Sequence, residues 1–294
     1  MLKITKLYKS LLNFFIILIT LLINSNLCAL CNELSSNNDI VIRVGVLENT
    51  PTFSVSCPNG LSILDASNKK IESTKNYIEI SCFKNEIYFE KHILTPPIKI
   101  ESLNGVISVN YKPYRGYLIV KKSKDKMNVI NVLHIEDYLK GVLPNEIGHK
   151  WNTEALKTQA VVSRTYAIKN LNKHDNNCNK DNSQGFDVCS TTHCQIYNGI
   201  KNEANTCNNA ILETQAEVLT YNKNLAQTVF HSSCGGHTEN PKYVWNFESI
   251  TPNYLKGVKC NYCSNNTNYV EWKSSIDEAV IRKKLLNNKN ITIR

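Results

Sequence analysis

The sequence predicts an α+β fold, with an antiparallel β-rich N-terminal half and a central helical segment packed on sheet. Three observations lead there. Short runs rich in Val, Ile and Tyr recur between Ile40 and Leu133, separated by turn residues. Helical spacing of apolar residues begins at Ile135. A second helical run then opens at Asn152 or Thr153, either of which can cap it.

Taken in order, the first strand is Ile40 to Leu47. Tyr77 to Cys82, Ile98 to Ile100, Val106 to Val109, Tyr117 to Lys121 and Val129 to Leu133 continue the pattern, with Pro58-Asn59-Gly60 and Asn104-Gly105 as turns. Ile135, Tyr138, Leu139 and Val142 lie on one helical face, and Pro144 is expected to stop that helix. The second helix runs to about Asn170, with Leu156, Ala160, Ser163 and Ala167 forming a narrow face of small residues suited to close packing. Asn172 to Gln184 is a polar loop. Ala210 to Val218 reads as a short helix or a helix–strand junction. Thr228 to Phe230 reads as a strand feeding a Gly-Gly turn, and Ile276 to Leu286 as a last helix. There are no internal repeats.

The N-terminus carries Lys3, Lys6 and Lys9 ahead of an apolar stretch from Ser10 to Ile23, then Asn24-Ser25-Asn26. Residues 1–31 therefore read as a signal peptide and 32–39 as a polar linker, leaving 40–294 as the folded part. The apolar stretch is short for a permanent span, and an uncleaved anchor over residues 10–23 is the alternative. Either way the chain is expected outside the cytoplasm, in the periplasm or cell-wall space. The net charge of +9 suits an anionic polymer or membrane face. The Lys and Arg residues are scattered without an aromatic-basic ladder, which argues against a nucleic-acid partner.

Eleven cysteines are many for this length. In an exported chain disulfides are the default reading. Cys57 with Cys82, and Cys234 with Cys260 or Cys263, are conceivable pairs, but spacing does not fix connectivity. Cys189, His193 and Cys194 are close in sequence, with His174 and Cys178 upstream. Cys189 and Cys194 can reach one ion, with His174 or Cys178 completing the set, or they can form a disulfide.

From Tyr138 to Ala167 the chain reads YLKGVLPNEIGHKWNTEALKTQAVVSRTYA. Phe186 to Gly199 reads FDVCSTTHCQIYNG, and Phe230 to Glu239 reads FHSSCGGHTE, followed by Val244-Trp245 and YLKGVKCNYC from Tyr254 to Cys263. With Tyr114-Arg115-Gly116 upstream, these ordered blocks resemble the stage II sporulation protein D family, shared with the amidase-enhancer LytB proteins. The resemblance covers roughly Ile40 to Trp272.

That resemblance implies either lytic transglycosylases acting on peptidoglycan glycan strands stripped of stem peptides by an amidase, or non-enzymatic wall-binding modulators of such an amidase. It requires no cofactor, and some members hold zinc in the Cys/His region, where it would be structural. The family's catalytic glutamate maps onto Glu146. One carboxyl suffices for the anhydro-forming reaction, because the same group serves as acid and then as base. Read from the residues alone, Glu146 is also a helix-capping carboxylate or a partner for Lys150. Glu136 and Asp137 fit a helix start, where carboxylates meet the positive end of the dipole. Gln159, Arg164, Gln195, Tyr197, His231 and Ser233 are the expected saccharide contacts, together with Gly235, Gly236, Thr238 and Glu239 in the Gly-Gly turn. Arg164 reads equally as a structural ion pair. Family members usually continue with further strands beyond the Trp272 region, so 40–294 is either a shortened domain or a branch without them.

Overall fold

The computed structural model describes residues 40–172, 185–244, 252–262 and 274–286. The proposed leader and linker lie outside them, as do His174, Cys178, Trp245 and Cys263. The chain divides into two compact units, Met1–Thr228 and Val229–Arg294.

The first unit is the predicted α+β arrangement. Its strands are β1 (Val41–Thr50), β2 (Thr52–Ser56), β3 (Leu61–Leu64), β4 (Lys70–Ser73), β5 (Tyr77–Phe83), β6 (Glu86–Phe89), β7 (His92–Leu94), β8 (Ile98–Val109), β9 (Lys112–Ser123), β10 (Lys126–His134) and β11 (Val188–Cys189). The main path of the sheet runs β11-β1-β10-β9-β8-β2-β5-β6-β7, with β3 paired to β8 and β4. All pairings are antiparallel except β1 with β11, where Val44 faces Val188. The period-2 pattern that marks a half-buried strand is visible in β5, where Ile78, Ile80 and Cys82 are buried and Tyr77, Glu79 and Phe83 are exposed. In β10 every residue from Met127 to Leu133 is buried, because the strand lies between β1 and β9 with both faces covered.

Ile98 to Ile100 and Val106 to Val109 belong to one strand rather than two. The expected Asn104-Gly105 turn is instead a register shift between Glu101 and Val106 in β8, with Gly105 at φ +79°. The conceivable Cys57–Cys82 pair is not formed, for a geometric reason. Cys57 follows Ser56, which faces Tyr77, whereas Cys82 follows Ser81, which faces Thr52 at the far end of the same ladder. Those ends are roughly 15–20 Å apart at the rise of a strand, beyond any disulfide.

Helices α1 (Ile135–Glu146), α2 (Thr153–Lys169) and α3 (Asn205–Glu213) pack together, and α1 lies on β10 and β1. α1 begins where His134 Nδ1 accepts the Glu136 N–H at 3.2 Å. Pro144 does not stop this helix but lies within its last turn. So close to the C-terminus a proline removes a single ladder donor, and Ile147 N–H still reaches Leu143 O at 3.1 Å. α2 is capped as expected, with Asn152 Oδ1 accepting the Glu154 N–H at 2.9 Å. Its small-residue face, Leu156, Ala160, Ser163 and Ala167, is buried. α3 starts before Ala210, at Asn205, and ends at Glu213. The hairpin β12 (Thr220–Tyr221) with β13 (Asn224–Leu225) follows.

In the second unit, Thr228 to Phe230 at its boundary forms no strand. Its described parts are a bridge between His237 and Lys259, two single 3-10 turns at Pro241–Tyr243 and Asn253–Leu255, and helix α4 (Glu278–Leu286) within the expected Ile276–Leu286. No helix among the described residues is long and apolar enough to cross a membrane.

Candidate functional site

Glu146 is the last residue of α1 and is half-buried. Its Oε1 accepts the Ile196 N–H at 2.8 Å, from the segment that follows β11. The neighbouring Asn145 extends this polar patch. Its Nδ2 donates to Gly141 O at 2.7 Å, and its Oδ1 accepts from Asn198 Nδ2 at 3.2 Å and Asn202 Nδ2 at 2.6 Å. Trp151, in the turn between α1 and α2, is 64% exposed. The site thus offers a carboxylate fixed by a backbone donor, a row of side-chain amides and an exposed indole in the adjoining turn.

The segment presenting Ile196 is held from several sides. Asp187 accepts from Arg43 at 2.6 and 3.1 Å through the guanidinium, from the Arg43 N–H at 2.8 Å and from the Asn172 N–H at 2.8 Å. Gly141 and Gly199 meet where α1 crosses the segment. A side chain at Gly141 would run into the Tyr197 ring, and Gly199 has φ +61° against the Pro113 carbonyl. The Arg115 guanidinium forms a two-point pair with Glu203, its second bond being 2.9 Å, and lies 3.9 Å from Asp137. Arg115 of the Tyr114-Arg115-Gly116 block therefore ties β9 to the stretch before α3.

Several expected saccharide contacts turn inward. Arg164 has no exposed surface. Its Nε and Nη2 donate to Glu136 at 2.8 and 2.7 Å, and its remaining bonds go to the carbonyls of Glu217 at 3.1 Å and Ile211 at 3.3 Å. It joins α1, α2 and the end of α3, which is the ion-pair reading and corrects the saccharide one. Tyr197 is buried, and its hydroxyl donates to Asn131 Oδ1 at 2.8 Å. Tyr138 is also buried and donates to Gln195 Oε1 at 3.1 Å. Burial pushes both phenols well above their usual pKa, so both remain donors. Gln195 is 1% exposed and its Nε2 is buried without a hydrogen-bond partner among the described residues. Gln159 is half-buried and donates to Ser163 Oγ at 3.2 Å.

Cys189, His193 and Cys194 bring two sulfurs and a ring nitrogen within 4.8 Å of one another. His193 Nδ1 lies 3.4 Å from Cys194 Sγ and 3.9 Å from Cys189 Sγ. No disulfide joins Cys189 to Cys194. The donor set suits zinc. The sequence placed His193 beside the pair but looked upstream to His174 and Cys178 for further ligands, which lie outside the described residues. The one-residue step from His193 to Cys194 was the available signal.

In the second unit a cavity of 610 Å³ is lined by Phe230, His231, Ser233, Thr238, Glu239 and Tyr254, among others. Ser233 Oγ is buried without a partner among the described residues. Gly235 and Gly236, both at positive φ, form the turn beside it, with φ +60° and +104°.

The region that matches known proteins holds β10, β11 and the three packed helices, with Glu146 at the end of the first helix. Residues 123–221 match the SpoIID, or stage II sporulation protein, family. Through this region the chain is similar to proteins of the SpoIID/amidase-enhancer family. It is 34% identical to an uncharacterised protein of Brachyspira hyodysenteriae over 209 residues, 71% of this chain and 50% of that protein. It is 40% identical over 107 residues to the amidase enhancer of Bacillus subtilis, 36% of this chain and 13% of that protein. It is 29% identical over 151 residues to stage II sporulation protein D of Bacillus subtilis, 48% of this chain and 42% of that protein. The chain spans half the length, or less, of these relatives.

Proposed function

We propose that this protein is exported to the cell-wall space and cleaves the glycan strands of peptidoglycan as a lytic transglycosylase, with Glu146 as its acid and base. The observation that carries this reading is the half-buried Glu146 carboxylate, fixed through Oε1 by the Ile196 N–H at the end of α1. Fixing one oxygen leaves Oε2 to handle the proton. In its acid form Glu146 protonates the glycosidic oxygen between MurNAc and GlcNAc as the bond to the anomeric carbon breaks. The resulting carboxylate then takes the proton from the sugar's own 6-hydroxyl, whose oxygen closes on the anomeric carbon. The product ends in a 1,6-anhydro sugar, no water enters, and Glu146 regains its proton. Asn145, Asn198 and Asn202 supply amides of the kind that hydrogen-bond sugar hydroxyls.

In the second unit, the cavity sets Phe230 and Tyr254 beside His231, Ser233, Thr238 and Glu239. Aromatic faces among hydroxyl, imidazole and carboxylate groups suit a saccharide, and we assign it a glycan-holding role. Zinc at Cys189, His193 and Cys194 would cross-link the segment that leads to Ile196 and so support the geometry at Glu146.

A second reading is favoured by the 40% identity to an amidase enhancer: the same surfaces bind wall glycan and stimulate a cell-wall amidase without cleavage. Glu146→Gln separates the two. Release of soluble fragments from amidase-stripped peptidoglycan should fall at least about 100-fold, as expected for loss of a general acid–base group. Unchanged amidase stimulation with no glycan release by the wild type would support the second reading.

A further inference from the structure

We infer that Tyr77 and Tyr111 form a stacking platform for a glycan strand, joined to the Glu146 site by one row of the first unit's sheet. The inference rests on the glycan reading of that site and extends it to sugars bound away from the reacting bond. Tyr111 is 80% exposed and Tyr77 is 49% exposed. Their ring centroids lie 6.2 Å apart and their planes are inclined by 26°. Nearly parallel rings at that separation are offset, so each keeps much of a face uncovered.

The fold holds Tyr111 there against its own backbone preference. Asn110 and Tyr111 are the two central residues of the β8–β9 hairpin, at φ +46° and +66°. A two-residue loop of that form favours Asn-Gly, because glycine takes the second position without steric cost. Asn110 obeys this rule and anchors the turn. Its N–H donates to Ser54 O at 3.0 Å, and its Oδ1 accepts the Ser54 N–H at 2.8 Å. Tyr111 breaks the rule, and a ring so exposed buries little surface to offset the strain. The contact with Tyr77 orients the ring without covering it. Strain kept at an exposed aromatic ring points to a ligand that the ring serves.

The placement of the pair indicates which ligand. Residues directly opposite each other in a sheet share a face. Tyr77 pairs with Ser56, Ser56 with Ser108, and Ser108 with Pro113, so one row crosses β5, β2, β8 and β9. Both serines are partly exposed and add hydroxyls to the row. The row spans three strand spacings, roughly 14 Å. At its end the Ile200 N–H donates to Pro113 O at 2.9 Å. Two residues earlier, Asn198 donates to Asn145, the neighbour of Glu146. A pyranose ring carries a face of C–H bonds that stacks on an aromatic face, and rim hydroxyls that suit Ser and Asn. A polymer of such rings lying along the row would rest one sugar on the tyrosines while another is held at Glu146. A mono- or disaccharide would reach only one of the two places.

The test is calorimetric titration of the full chain carrying Glu146→Gln with soluble, peptide-free glycan strands, which then stay intact. Long strands are compared with tetrasaccharides. Tyr111→Gly puts the favoured residue into the turn and so leaves the fold in place. It should weaken long-strand binding at least about tenfold, as for loss of an aromatic anchor. Tyr77→Ala should do the same, and tetrasaccharide affinity, set at Glu146, should be unchanged in both. Equal long-strand affinity with and without Tyr111→Gly would overturn the proposal. So would an equal loss of tetrasaccharide affinity, which marks a structural role, or no glycan binding before either tyrosine is changed. Binding is read apart from cleavage. Tyr111-dependent strand affinity in a protein whose wild type makes no anhydro ends would sink the lytic reading and leave this one standing.

Discussion

Glu146 and Arg164 belong to the same pair of helices and do opposite kinds of work. Glu146 is half-buried at a helix end, while Arg164 gives its guanidinium entirely to protein groups. Arg164→Ala leaves Glu136 beside a buried gap and should lower unfolding stability by about 3–5 kcal/mol, measured by denaturant titration. Arg164→Lys should recover only part of that, because an ammonium cannot make the two-point contact with Glu136. Gly199→Ala forces a side chain toward the Pro113 carbonyl at φ +61° and should cost roughly 1–3 kcal/mol. The family blocks made both positions noticeable in the sequence. They did not give Arg164 its role, because its partner lies 28 residues away and the carbonyls of Ile211 and Glu217 much further along the chain. Burial of a charged residue follows from three-dimensional packing and leaves no mark in local spacing.

The elements were legible to the degree that their patterns are local. The alternation in β5 and the Asn152 cap of α2 read directly from short windows. Pro144 and the Asn104-Gly105 pair misled because each obeys a local rule that its context relaxes: a proline in a last turn removes one bond, and a Gly in a long paired strand is absorbed as an irregularity. The loop from Asp65 to Lys69 supplies a test of local electrostatics. Burial raises the Asp65 carboxyl, but the Ser67 hydroxyl and the Thr95, Lys69 and Ser67 N–H groups outweigh that and hold it at about 2. A carboxyl depressed in the folded state adds stability above its unfolded pKa, near ~3.9, and loses it as pH falls toward the folded value. Melting temperature should therefore drop between about pH 4 and pH 2, and Asp65→Asn should flatten that part of the profile. Just before β11, Asp187→Asn weakens the grip of Arg43 and Asn172 on the segment that presents Ile196. It should cost roughly 2 kcal/mol and reduce turnover more than substrate affinity, read as a fall in kcat with little change in KM.

At the scale of the whole molecule, two units with different means of cohesion share one chain. The first is held by a large sheet core; the second has little buried surface among its described residues, and several cysteines in its sequence. The α+β class followed from the order of strand-like runs and helical runs, which is a global pattern and survives local errors. The division at Thr228 was not legible, because no Pro- or Gly-rich linker marks it. The Cys189–His193–Cys194 grouping was half visible, since the residues are close in sequence but their convergence depends on how the chain turns after β11. With zinc in the place proposed for it there, chelation should lower the melting temperature of the first unit, and Cys189→Ser should remove that sensitivity.

The central claim rests on the chemistry of Glu146, and the most direct measurement is the identity of the new chain ends. Amidase-stripped peptidoglycan incubated with wild-type protein or Glu146→Gln should be analysed by mass spectrometry. The account predicts 1,6-anhydro ends from the wild type alone. Reducing ends, anhydro ends that persist with Glu146→Gln, or no cleavage by a folded, glycan-binding wild type would contradict it.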